Sequence, residues 1–175
     1  MDLWNAIASR HSYRGTFTNE PVPQSALMKI AEAGVRAPSG CNRQTTHICL
    51  VSDPKTRKAI ASILPKATVQ TAQAIIVVVS DNRPAYENTS FAKEDYAAAV
   101  ENMLLAITAL GYASVWLDGV LRYDGIAEKI ADLIGLTDRE HMTVSVILPI
   151  GKPETQEKQQ TRLPLAERIY TNRMG

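Results

Sequence analysis

Two arginines four positions apart, Arg10 and Arg14, enclose His11, Ser12 and Tyr13 in the segment Ser9-Arg10-His11-Ser12-Tyr13-Arg14. Guanidinium groups donate paired hydrogen bonds to phosphate and carboxylate oxygens, and the imidazole and hydroxyl between them add short donors. The cluster suits a phosphorylated, oxygen-rich ligand. A second segment, Ala37-Pro38-Ser39-Gly40-Cys41-Asn42-Arg43-Gln44, offers complementary features. Gly40 has no side chain to keep backbone away from a flat ligand. Asn42 and Gln44 each carry a donor and an acceptor, which matches the edge of an imide-containing ring. In Trp116-Leu117-Asp118-Gly119, backbone N–H groups of Leu117, Asp118 and Gly119 lie at a strand end, within reach of a ligand. Lys152 and Arg162 complete an anion site if the fold joins the two ends of the chain.

Each of these residues also has a plainer reading. A single surface arginine or lysine is usually a solvated charge, and His11 can be a satisfied imidazole at a helix end. Pro38-Ser39-Gly40 can be a surface turn, Asn42 and Gln44 solvated loop amides, and Trp116 a core residue before an ordinary turn. Cys41 can be read as a nucleophile with His11 or His47 as its base, a hydrolase reading, although a lone cysteine more commonly serves as a small apolar thiol.

Other chemistries lack their signatures. No G-x-G-x-x-G follows a strand-like run and no G-x-x-x-x-G-K-[ST] occurs, so phosphate must be held by side chains. The three histidines, His11, His47 and His141, have no metal-ligand spacing, so no metal site is expected. Cys41 and Cys49 form neither a C-x-x-C pair nor a disulfide framework.

The 175 residues, 45% of them hydrophobic, suit a single domain with a real core. Lysine plus arginine number 19 and aspartate plus glutamate 18, leaving no general attraction to nucleic acid or an anionic membrane. Any anionic ligand must be gripped locally. The apolar runs Ala74 to Val79 and Met103 to Ile107 are too short to span a bilayer, and no basic segment leads into an apolar leader. A soluble, cytoplasmic protein is the expectation.

The elements that must position these groups alternate between helix and strand. Asp2 caps a helix carrying Leu3 and Ile7 that runs close to Arg10, and Pro21-Val22-Pro23 opens a second with Leu27, Ile30 and Ala31, stopped at Gly34. His47 to Val51 reads as a strand, Asp53-Pro54 opens a helix with Ile60 and Ile63, and Ile75 to Val79 is the clearest strand. Asp81 to Phe91 reads as a loop and candidate lid. Asp95 to Leu110 is apolar nearly all round, a helix buried by several neighbours and ended by Gly111. Ala113 to Leu117 follows as a strand, Ile126 to Ile134 as a helix stopped by Gly135, and Thr143 to Leu148 as a last strand. Glu101 and Asn102 form either a buried polar network or, as favoured here, an interface pair. The charged tail from Lys152 carries Leu163, Leu165, Ile169 and Tyr170, and either packs on its own domain or wraps a partner. Element order alone suggests a parallel α/β sheet.

Four blocks together resemble the nitroreductase family of flavin-dependent oxidoreductases: Ser9 to Arg14; Ala37 to Gln44; Ala97 to Trp116 with its Leu-Gly-Tyr-Ala-Ser-Val-Trp ending; and Leu148-Pro149-Ile150-Gly151-Lys152-Pro153 followed by Arg162-Leu163-Pro164. The resemblance covers nearly the whole chain. It implies an α+β fold with a mainly antiparallel central sheet flanked by helices, which replaces the parallel expectation. It also implies a homodimer with FMN at the subunit interface, the long apolar helix buried between subunits and the C-terminal arm extended over the partner.

Carried over by motif, Arg10, His11, Ser12 and Arg14 would contact phosphate, ribityl chain and pyrimidine edge, with Arg14 offsetting negative charge on the reduced ring. Pro38, Ser39, Gly40, Asn42 and Gln44 would come from the other subunit, and Leu117, Asp118 and Gly119 would lie near the reactive N5 edge. Arg162 matches the family's C-terminal phosphate arginine, while a basic residue common just before it is Gln160 here, with Lys152 as a candidate replacement. The implied activity takes hydride from NADH or NADPH and passes it to a nitroaromatic, quinone or similar small-molecule acceptor, in two steps through one pocket. The cofactor carries the chemistry, and no side-chain catalyst is needed. With one sizeable loop over it, that pocket should be partly open. The alternatives are a flavin-binding sensor or carrier without general reductase activity, and a specialised flavin reaction such as reductive dehalogenation.

Overall fold

In a computed structural model, residues 1–157 and 159–174 are described. The centre is a four-stranded sheet in the order β1-β2-β4-β3, with β1 at Thr46–Val51, β2 at Ala74–Asp81, β3 at Ala113–Ser114 and β4 at Met142–Gly151. Every neighbouring pair is antiparallel. The helices are α1 Leu3–Ser9, α2 Gln24–Val35, α3 Pro54–Ile63, α4 Ala67–Gln70, α5 Ala92–Ala109 and α6 Ile126–Leu133.

β2 dictates the layering. Its residues Ala74 to Ser80 are all buried, so both faces of the sheet must be covered. Ile75, Val77 and Val79 join Ile60, Val69, Ile130 and Ile147 on one side, the side of α3 and α6. Ile76 and Val78 join Leu27, Ile30, Val100, Met103 and Leu148 on the other, the side of α2 and α5. Each such aliphatic side chain withdrawn from water contributes about 1.5–3 kcal/mol.

The antiparallel pairing departs from the parallel arrangement that element order suggests. β1 and β2 are joined through α3 and the short α4, a helix that element order did not anticipate. Single-helix crossover does occur from β2 through α5 to β3, and those strands do run the same way, but β4 lies between them.

Most helix limits follow their local signals. Asp2 and Asp53 cap α1 and α3 by accepting from the N–H groups of Asn5 and Thr56, and those bonds hold both carboxyls below the ordinary carboxylate range. α5 and α6 end at Gly111 (φ 76°) and Gly135 (φ 69°), each with the crossed pair of backbone bonds of a left-handed stop. Two expectations need correction. Gly34 does not stop α2 but lies inside it, buried at the crossing with α5, where a Cβ would meet Met103 Cγ and Ile48 Cδ1 at 2.9 Å each. The strand expected over Ala113 to Leu117 is only Ala113–Ser114, after which Leu117 makes a single bridge to Ile147.

Because Gly34 is the point of closest approach, Gly34→Val should destabilise the fold by about 1–3 kcal/mol through overpacking. Urea unfolding followed by far-UV circular dichroism checks this, and an unchanged midpoint would refute the tight α2–α5 contact.

Candidate functional site

Tyr13 sets the geometry of the first cluster. Its side chain is fully buried, its N–H donates to Ser114 O (2.9 Å), its hydroxyl donates to Thr16 O, and its ring lies 5.2 Å from that of Phe17. In extended backbone, neighbours point opposite to an inward residue, so anchoring Tyr13 turns Ser12 and Arg14 outward. Sequence reading gave Tyr13 no role. Its aromatic body between polar neighbours was the available signal.

The two ends of the chain do meet. Thr18 N–H donates to Lys152 O (2.9 Å), Glu154 N–H to Thr16 O (3.1 Å), and Phe17 bridges Pro153. Farther along, the Gln159 side-chain amide donates to Arg10 O (2.8 Å). These contacts place Arg10, His11, Ser12 and Arg14 on one groove of about 350 Å3 together with Gln160 and Arg162. Arg10 is steadied from behind by Glu101, Nε to Oε1 3.2 Å, and His11 Nδ1 lies 2.9 Å from Ser9 O. Three guanidinium groups against the single carboxylate of Glu157 in the lining make the groove electropositive.

Lys152 is not in this lining. Its ammonium sits 4.8 Å from the centroid of the Tyr112 ring, a cation–π contact, while Gln160 itself faces the groove. Within the chain, Glu101 holds Arg10, and Asn102 donates its side-chain amide to Ala33 O (3.1 Å).

The second cluster lies at the opposite end of α5. Pro38, Ser39 and Gln44 border a cavity of about 120 Å3 with Asp95 and Ala99. Gly40 packs against Phe91, so that a Cβ there would stand 2.4 Å from the ring. Gln44 N–H donates to Ser39 Oγ (2.9 Å), and Asn42 N–H to Ser39 O (2.9 Å). Cys41 is exposed, and among the described residues no histidine is hydrogen-bonded to its thiol. The first cluster lies against Glu101, Leu104 and Thr108, so the two are offset by about 9–20 Å along the helix axis. They do not line one groove within a chain.

Leu117, Asp118 and Gly119 form the third group. Leu117 exchanges backbone bonds with Ile147 (3.2 and 2.9 Å), and Asp118 accepts from Arg122 Nη2 (3.1 Å). Asp118 lines an open cavity of about 520 Å3 with Ser80, Asn82, Lys93, Tyr96 and Arg122. Burial, and secondarily the Asp118 carboxylate, hold the Tyr96 phenol above its ordinary value, so it meets the cavity as a protonated donor. Among the described residues no cluster of three or more His, Cys, Asp or Glu is suited to a metal, and no helix is long and apolar enough to cross a membrane.

Comparison with known proteins places this geometry. The Nitroreductase family profile matches residues 7–73 and 64–152. The chain belongs to the nitroreductase family. Among its relatives, an Archaeoglobus fulgidus protein provisionally named NADH dehydrogenase/NAD(P)H nitroreductase is 29% identical over 157 residues, 86% of this chain and 85% of that one. A Thermus thermophilus NADH dehydrogenase is 26% identical, over 97% of this chain and 95% of that one. A Desulfovibrio desulfuricans chain crystallised in complex with FMN is 30% identical with a TM-score of 0.78, covering 100% of this chain and 99% of that one. The α+β nitroreductase fold, and membership in a family of oxidoreductases, are therefore established for this chain. The antiparallel sheet expected from the resemblance is the one observed.

The packing of Gly40 on Phe91 yields a direct check. Gly40→Ala should lower stability by about 1–3 kcal/mol, whereas Gly119→Ala, with nothing within 4 Å of its Cβ, should leave it nearly unchanged. Parallel thermal melts would test the contrast, and equal effects would refute the loop geometry.

Proposed function

We propose that residues 1–175 form one FMN-binding domain that works as a homodimer, an NADH- or NADPH-dependent oxidoreductase reducing small acceptors such as nitroaromatics and quinones. The carrying observation is the groove in which Arg10 and Arg14 from one end of the chain meet Arg162 from the other, with His11, Ser12 and Gln160 between them. The donor chemistry fits FMN: guanidinium groups for a phosphate dianion, and hydroxyl and amide groups for a polyhydroxyl chain. Ser114 Oγ, buried with no hydrogen-bond partner among the described residues, lies beside Arg10 and His11 in a hollow of about 30 Å3, spare polar capacity one water can use.

The dimer explains why the two halves of the site are offset along α5. In a two-fold pair, Pro38, Ser39, Gly40, Asn42 and Gln44 of one subunit can meet the arginine groove of the other. Apolar surface supports such pairing. Leu3 (62% exposed), Trp4 (78%) and Ile7 lie open on α1, and Leu163, Leu165, Ile169 and Tyr170 lie open on the tail. An apolar groove of about 650 Å3 runs between α2 and the unpaired edge of β1, bordered by Met28, Val35, Ile48 and Leu50, and it suits the arm of a partner.

FMN, when bound, would supply the redox chemistry, taking hydride from NADH or NADPH and passing it to the acceptor. The chain's part is to hold and orient. Arg10 and Arg162 would neutralise the anionic end, and Arg14 would offset negative charge on the ring. Backbone at Leu117, Asp118 and Gly119 would border the reactive edge, and the 520 Å3 cavity that Asp118 lines would take nicotinamide and acceptor in turn. The cavity is open, and Asn82 from the loop ending at Phe91 stands at its rim, consistent with broad acceptor tolerance.

Purified protein should be yellow and should bleach within seconds when NADH or NADPH is added anaerobically. A flavin spectrum unmoved by either nucleotide would favour the sensor or carrier reading instead. Arg10→Ala and Arg14→Ala should each weaken FMN binding by roughly ten- to a hundred-fold, the typical cost of losing one charge-assisted contact. Equilibrium dialysis against FMN measures it, and full retention in both variants would break the assignment of the groove.

A further inference from the structure

The loop between Ser39 and Thr45 holds backbone that its own residues disfavour. Cys41, Asn42 and Gln44 have φ of 51°, 53° and 54°. Left-handed backbone is tolerated by asparagine but costly for cysteine and glutamine, and such outliers persist only where the surroundings over-determine them. The loop's internal bonds, from Asn42 and Gln44 to Ser39, close a turn but attach it to nothing.

The loop is attached through the Thr45 carbonyl, which accepts from Asp81 N–H (2.8 Å), and through Asp95, in the first turn of α5. Its side chain is 4% exposed, and both carboxylate oxygens are used: Oδ1 accepts from Gly40 N–H (2.7 Å) and Oδ2 from the Thr45 hydroxyl (2.5 Å). Gly40 and Thr45 flank the three left-handed residues. One buried group thus grips the strained segment at both ends, while Phe91, a turn earlier, fills the space a side chain at position 40 would need. A carboxylate suits this duty because both partners donate.

We propose that Asp95 is a positioning residue for the cofactor site: it holds Pro38 to Gln44 in a preformed shape before FMN arrives, so that binding need not meet the cost of ordering the loop. The proposal rests on the FMN reading above. Asp95 borders the cavity beneath the loop, so it acts through the loop backbone.

Two measurements separate this from a merely structural role. The Gly40 amide of the apo wild-type protein should exchange with deuterium at least about tenfold more slowly than in Asp95→Ala. FMN titrated into apo protein should bind Asp95→Ala at least about tenfold more weakly, with Asp95→Asn within about threefold of wild type, because its amide oxygen still accepts from Gly40 and the Thr45 hydroxyl can rotate to accept. A wild-type Gly40 amide that exchanges like an unstructured loop would overturn the clamp even if Asp95→Ala does not fold. So would Asp95→Ala binding FMN as tightly as wild type, or Asp95→Asn failing as badly as Asp95→Ala. Wild-type protein with no FMN affinity but a protected Gly40 amide would instead sink the cofactor reading and leave the clamp standing.

Discussion

A strand with no polar face governs this molecule. β2 is buried from Ala74 to Ser80, so it can exist only with apolar layers on both sides, and the two separate clusters around Ile75, Val77 and Val79 and around Ile76 and Val78 are the result. The layer formed with α2 and α5 is the one that matters for the site. Once Val100, Met103 and Ile107 are committed to the sheet, α5 becomes a fixed rod, and both candidate half-sites are mounted along it: the arginine segment beside Glu101 and Leu104, the strained loop against Phe91 and Asp95.

The polar groups of α5 show how an almost wholly apolar helix can still organise a site. Asp95, Glu101 and Asn102 each hold a different neighbouring segment: the loop at Gly40 and Thr45, the guanidinium of Arg10, and the end of α2 at Ala33. None needs to touch a ligand. Each removes freedom from the segment it holds, and buried or half-buried polar contacts of this kind are worth most where few alternatives compete. The same economy is seen at Tyr13, where one buried aromatic ring with two backbone partners decides which way the flanking Ser12 and Arg14 point.

The candidate groups are offset along α5, and apolar side chains lie open on α1 and on the tail. The net charge of +1 hides a local concentration of guanidinium groups, in which the approach of the two chain ends adds Arg162 to Arg10 and Arg14. Such local fields act over a few ångströms and are invisible in composition.

Much was legible from residue order. Helix starts at Asp2 and Asp53, stops at Gly111 and Gly135, the strength of β2 and the donor-rich segments around Arg10 and Ser39 all follow from capping, backbone freedom and side-chain chemistry, which act within a few residues. Motif resemblance added the antiparallel sheet that element order had concealed. What needed the tertiary structure involved groups far apart in the chain. Gly34 looked like a helix stop because its neighbour on α5 is distant in sequence. Lys152 looked available for the groove because the ring of Tyr112 that holds it cannot be inferred from spacing. Asp95 had no signal at all, since an aspartate near a helix start is ordinary until Gly40 and Thr45 are seen on its two oxygens. Local physics is written in the sequence, whereas the meeting of remote groups depends on how the whole core closes, and that sum of many small packing terms is settled only in three dimensions.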